Sequence, residues 1–128
     1  MHLYHQQKPL REFCKKNGIR VTAYAPLGSP GARKGLHPEQ SEIEFPNPLG
    51  LPVVLEIAKS HGKSTVQVLL RHATQGGAVV IPSSRKSNHI KDNIEIFDFE
   101  LSEEEIKKLD SLDKGERGKI FDYTFLKG

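Results

Sequence analysis

Two short stretches concentrate the side chains best suited to chemistry. In Tyr24-Ala25-Pro26-Leu27-Gly28-Ser29-Pro30, a tyrosine closes a β-branched run and a loop rich in glycine and proline begins. In Ile81-Pro82-Ser83-Ser84-Arg85-Lys86, two hydroxyls and two cations follow an apolar run directly. Hydroxyls beside cations suit a phosphate oxygen, yet the same four polar residues also make an ordinary turn. Tyr24 could equally be a strand-end tyrosine with its ring half buried. His2 and His5 stand at i, i+3, but no carboxylate or cysteine adjoins them, so a zinc site is not expected. Cys14, the one cysteine, falls on an apolar helical stripe and reads as a small core residue.

The elements that must position these residues follow from periodicity. Leu10, Phe13 and Cys14 give Lys8–Lys16 one apolar stripe, and Asn17-Gly18 supplies a stop. Ile19–Tyr24 alternates and is β-branched, as a strand should be. The long loop 25–51 follows the C-terminal end of that strand, the side of an α/β sheet where ligands bind. Pro52 opens a helix that runs towards His61-Gly62. Ser64 or Thr65 caps another, with Val66, Leu69, Leu70 and Ala73 on one face and Gly76-Gly77 at its end. Ala78–Pro82 is continuously apolar and suits a strand buried on both faces. A short helix near Ser87–Asn93 comes next. Ser102 and Glu105 then form a capping box ahead of Ile106, Leu109 and Leu112. Two strands leave open edges on both sides, which points to part of a larger α/β architecture.

Composition sets the outer limits. The chain has 128 residues, 36% hydrophobic and 27% charged, with 19 basic and 16 acidic side chains and a net charge of +3. That charge is too small and scattered to argue for nucleic acid. No stretch approaches the roughly 20 apolar residues of a membrane span, and the first residues carry no apolar run of signal-peptide type. With a single cysteine, a reducing, cytoplasmic setting is expected.

Taken in order, the motifs resemble the aldo-keto reductase family. Tyr24–Pro30 resembles its Y-S-P-L-G-S-P stretch. Ile81-Pro82-Ser83-Ser84, followed by Ile90, Asn93, Phe97, Phe99 and Leu101, resembles its I-P-K-S…N…F-x-F-x-L segment. Glu56–Lys59 and Thr65–Arg71 look like its E-I-A-x-x-H…T-x-x-Q-x-x-L-R-W pattern, with His72 at the aromatic position. His2-Leu3-Tyr4 is similar to its H-P-Y. The resemblance runs through essentially the whole chain. It implies a (β/α)₈ TIM barrel that reduces aldehydes and ketones to alcohols with NADPH. Such a barrel takes about 250 residues. Residues 1–128 would then be its C-terminal part, beginning after strand six, with Ile19–Tyr24 and Ala78–Pro82 as strands seven and eight and their helices beside them.

The same resemblance assigns roles. The family's catalytic Asp, Tyr, Lys and His lie on earlier strands, and none of Tyr4, Tyr24 and Tyr123 matches the tyrosine acid, so no catalytic residue is expected here. Tyr24 would stack on the nicotinamide, Leu27 and Ser29 would fold over the pyrophosphate, and Ser84 would meet the adenosine phosphate. Asp92, in place of a glutamate, and Asn93 would hold the adenine amine. Ser83 replaces a lysine and His89 an arginine, while Arg85 and Lys86 stand nearby. Weaker discrimination between NADPH and NADH is therefore expected. The tail from Gly115 to Phe125 would lie at the substrate mouth. The expected partners are the dinucleotide and a small carbonyl compound, without nucleic acid, membrane or metal. An alternative is a non-catalytic nucleotide-binding or partner-binding remnant. A third reading is a chain that folds stably only with its missing half or by self-association.

Overall fold

The computed structural model describes residues 1–29 and 44–121. Residues 30–43 of the long loop, and Tyr123 and Phe125 of the tail, lie outside the described residues. Helix α1 (Lys8–Lys16) begins after Gln7 and ends at Asn17 and Gly18, whose φ of 69° takes the chain into the left-handed turn that stops a helix. Strand β1 (Thr22–Ala23) follows, then a 3-10 turn at Pro48–Gly50. Helix α2 (Pro52–His61) opens on its proline and closes at Gly62. Helix α3 (Thr65–Gln75) starts from a capping box in which Ser64 and Gln67 satisfy each other's backbone N–H groups.

Strand β2 (Val79–Val80) pairs in parallel with β1, Thr22 opposite Val79 and Ala23 opposite Val80. Helix α4 (Ser87–Ile94) lies beyond it, and helix α5 (Glu103–Asp110) starts from the Ser102–Glu105 capping box. A 3-10 turn at Gly115–Gly118 comes last. Among the described residues the sequence of elements is α/β, with two helices between the parallel strands.

The core sits in the helical layer. Leu3, Val54, Ile57, Ala58, Val68, Leu69, Leu101 and Leu109 form one buried cluster, flanked by Leu27, Leu51, Phe99, Ile106 and Leu112. Four expectations change. The strands are two residues long instead of five or six, because ladder bonds form only where the two strands run side by side. Val79 and Ile81 are exposed, since among the described residues nothing packs over that side of the sheet. Cys14 is buried, but Leu10 and Phe13 on the same stripe stay more than half exposed. On α3, Val68 takes the buried place that helical spacing gave to Val66.

One row of polar side chains decides where the rest of the chain goes. Gln67, Arg71 and Gln75 recur every four residues and so share a face of α3. The Gln67 amide donates to the carbonyl of Glu95 at 3.0 Å, and Arg71 Nη1 donates to that of Ile96 at 3.3 Å. The Gln75 amide donates to the Leu101 carbonyl at 2.8 Å and accepts the Leu101 N–H at 3.0 Å. The irregular segment between α4 and α5 thus has its backbone groups satisfied by side chains, which a half-buried connection requires. Lys63 adds bonds of 2.7 and 2.8 Å to Asp98.

A second cluster joins three helices. His72 on α3 lies 2.7 Å from Asp110 on α5, and Lys8 of α1 pairs with the other carboxylate oxygen at 3.0 Å. Burial lowers the pKa of His72, against the opposing pull of Asp110; the charges of Arg11 and Lys8 lower it further. Burial pushes Asp110 up, but its bonds from His72 and Lys8 outweigh that and hold it below the usual value. The unfolded chain therefore binds protons before the folded one as pH falls through the ordinary histidine value of 6.5. Stability drops on acidification there, and the Asp110 contribution is lost only at lower pH.

Two outcomes follow. Gln75→Leu leaves the buried Leu101 backbone groups unpaired and lowers unfolding free energy by about 1–3 kcal/mol, measured in urea. An unchanged midpoint would show that the row is ornamental. Between about pH 7.5 and about pH 5.5, the urea midpoint of the native chain falls, while that of His72→Phe falls less. Equal slopes would remove His72 from the account.

Candidate functional site

The loop leaving β1 stores backbone strain. Ala25 (φ 50°) and Ser29 (φ 42°) are non-glycine residues in the left-handed region, on either side of Gly28 (φ 79°). Each costs on the order of 1 kcal/mol and persists only where surrounding contacts hold it. The turn is pinned by a bond from Gly28 N–H to the Ala25 carbonyl at 2.9 Å, and Gly28 lies against the buried His2 ring. This places Leu27 beyond the C-terminal end of β1.

The turn leaving β2 supplies Ser83 and Ser84. Ser84 Oγ accepts from the N–H of Lys86 at 3.1 Å, so its own O–H is left to donate elsewhere. Helix α4 brings His89, Asp92 and Asn93, which at i, i+3 and i+4 share one face. These pieces meet at one cavity of about 150 Å³, lined by Leu27, Ser64, Val66, Ser83, Ser84, His89, Asp92 and Asn93. Its wall mixes two apolar side chains with hydroxyls, an amide, an imidazole and a carboxylate. Such a set can bind a polar, anionic ligand that also has a flat or apolar part.

Six of the nine expected cofactor-site residues therefore line one cavity, and three do not. Tyr24 lies outside the lining, 63% exposed, with its ring 6.0 Å from that of Phe121. Ser29 belongs to the strained turn, and Arg85 is exposed and outside the lining. Sequence reasoning missed Ser64 and Val66. Ser64 was legible as a helix cap, and Val66 was assigned to the core by spacing; their place beside α4 depends on packing between helices.

A larger groove, about 700 Å³, lies at the other end of the strands, lined by Ile19–Val21 before β1 and Gly76–Ala78 before β2. Two of its cations are structurally engaged: Lys8 with Asp110, and Arg11 with the carbonyl of Gly76 at 2.7 Å. Ligands of parallel α/β folds bind beyond the C-terminal strand ends, so position favours the smaller cavity over size. Among the described residues no cluster of histidine, cysteine and carboxylates could hold a metal ion. No described helix is long and apolar enough to cross a membrane.

The model of the Aldo/keto reductase family matches residues 1–114. The chain belongs to the aldo/keto reductase family. It is 40% identical over 117 residues to a 9,11-endoperoxide prostaglandin H2 reductase of Trypanosoma cruzi, covering 91% of this chain and 37% of that protein. It is 43% identical over 116 residues to aldo-keto reductase family 1 member A1 of Rattus norvegicus, covering 91% and 34%. The crystal structure of a Bombyx mori aldo-keto reductase in complex with NADP matches with a TM-score of 0.79 and 28% identity, over 99% of this chain and 39% of that one. The chain thus spans about a third of the length of these curated relatives. Aldo-keto reductase structures of this kind give the fold class, a (β/α)₈ barrel.

The strained turn yields a direct test. Ala25→Gly relieves the left-handed penalty and raises unfolding free energy by about 0.5–1 kcal/mol in urea. A loss of stability would show that the alanine conformation is not strained.

Proposed function

We propose that residues 1–128 form the C-terminal part of an NADPH-dependent aldo-keto reductase barrel, carrying part of its cofactor site but not its catalytic residues. The observation that carries this reading is the cavity itself. Beyond the C-terminal ends of both parallel strands it gathers Leu27, Ser83, Ser84, His89, Asp92 and Asn93. The donor set fits the adenosine end of a dinucleotide. Ser83 and Ser84 hydroxyls donate to phosphate oxygens, and the Asp92 carboxylate and the Asn93 side-chain carbonyl accept from an adenine amine. The exposed Tyr24 ring offers a flat platform on which a nicotinamide stacks, leaving its other face to the substrate. When bound, the nicotinamide supplies the hydride that reduces a carbonyl compound.

The fragment reading has its own support. Leu10, Phe13, Ile19, Val79, Ile81 and Phe97 are all exposed, a spread of apolar surface that suits burial under the rest of a barrel. Among the described residues the sheet has two strands and open edges, which further parallel strands would close. The proton donor and the residues that tune it would come from outside this chain, since none of its tyrosines stands at the family's acid position. By itself the chain is then a nucleotide-binding piece without turnover. Ser83 in place of lysine and His89 in place of arginine leave less fixed positive charge, so preference for NADPH over NADH is weaker than the family's usual one.

The test has two arms. Purified chain titrated with NADPH and NADH shows saturable fluorescence changes with similar dissociation constants, and Ser83→Lys tightens NADPH by about tenfold more than NADH. Steady-state assays with an aromatic aldehyde show no NADPH oxidation. Robust oxidation would refute the missing catalytic set. A strong NADPH preference untouched by Ser83→Lys would refute the weakened discrimination between the two cofactors.

A further inference from the structure

We propose that His89 makes this cavity's choice between a nucleotide with and without a phosphate on the adenosine ribose depend on pH. The inference rests on the nucleotide-site reading above and concerns the regulation of that same site.

Charge in the lining sets this choice. Of the groups that face His89, α3 contributes Ser64 and Val66, the turn after β2 contributes Ser83 and Ser84, and the loop after β1 contributes Leu27. None of these ionises near neutral pH. Among the described residues the only ionisable ones in the lining are His89 and Asp92, one helical turn apart on α4. Arg85 and Lys86 are exposed and form no part of the wall. With a neutral imidazole the lining carries one formal negative charge, from Asp92, and repels a second phosphate. With a protonated imidazole the lining is formally neutral and offers a charge-assisted donor beside the Ser83 and Ser84 hydroxyls. Histidine is the side chain whose charge changes in the physiological range, whereas a lysine or arginine there would stay charged throughout. The selectivity of the cavity thus follows the protonation of one exposed side chain.

The ligand also titrates. A phosphate monoester gains its second charge around pH 6, which strengthens binding as pH rises and opposes the histidine effect. His89→Arg isolates that opposing trend, because its cation is constant. The experiment is isothermal titration calorimetry of the full chain, His89→Arg and His89→Gln. Each is titrated with adenosine 2′,5′-bisphosphate and adenosine 5′-monophosphate from about pH 6 to about pH 8.5, after urea midpoints show equal stability. The expected advantage of the bisphosphate falls about tenfold across that range in the native chain, relative to His89→Arg, and stays low in His89→Gln. A native ratio that tracks His89→Arg throughout, or a His89→Gln ratio that falls like the native one, would overturn the proposal alone. Absence of saturable binding of either nucleotide to all three proteins would overturn the nucleotide-site reading, and this proposal with it.

Discussion

The row of Gln67, Arg71 and Gln75 along α3 is the constraint on which the rest of the described structure depends. The chain between α4 and α5 has no regular secondary structure, so its backbone groups need partners from elsewhere. Three side chains at helical spacing supply them, at Glu95, Ile96 and Leu101. This fixes the exit of α4 and the entry of α5. Leu101 and Leu109 can then join Val68 and Leu69 in the core, and His89, Asp92 and Asn93 can face the turns that leave the two strands. An amide that both donates and accepts, as Gln75 does at Leu101, imposes direction as well as distance. Hydrophobic contacts alone would allow the segment to slide.

Around that frame the molecule divides its polar chemistry between two ends. At the entry ends of the strands, cations and carboxylates pair with one another and tie helices together: Lys8 and His72 with Asp110, Arg11 with the Gly76 carbonyl. At the exit ends the polar groups are left more open, on a loop that holds two non-glycine residues in the left-handed region. Backbone strain of this kind is costly and persists only where surrounding contacts hold it.

Most of the local structure could be read from the amino-acid sequence, because its signals act within a few residues. The Ser102–Glu105 capping box, the proline start at Pro52, the Gly18 and Gly62 stops and the span of α1 each depend on one turn of backbone. The family resemblance rested on motifs that are also contiguous, and it named six of the eight residues that line the cavity, missing Ser64 and Val66. What it could not supply was which of nine candidates share a wall. Tyr24, Ser29 and Arg85 stand within a few residues of lining positions, but form no part of the wall.

The sequence by itself determined the type and order of the elements, their caps, and the family to which the chain belongs. Tertiary structure decided the rest. It chose Val68 over Val66 for the core and gave Val66 and Ser64 to the cavity. It left Leu10 and Phe13 exposed while burying Cys14. It paired His72 with a carboxylate 38 residues away. The physical reason is the reach of the interactions. A cap or a helical stripe is closed by neighbours in the chain, whereas burial and long-range pairing depend on which surfaces meet. That meeting is governed by docking partners, such as the carbonyls that receive the α3 amides, which no local pattern reveals.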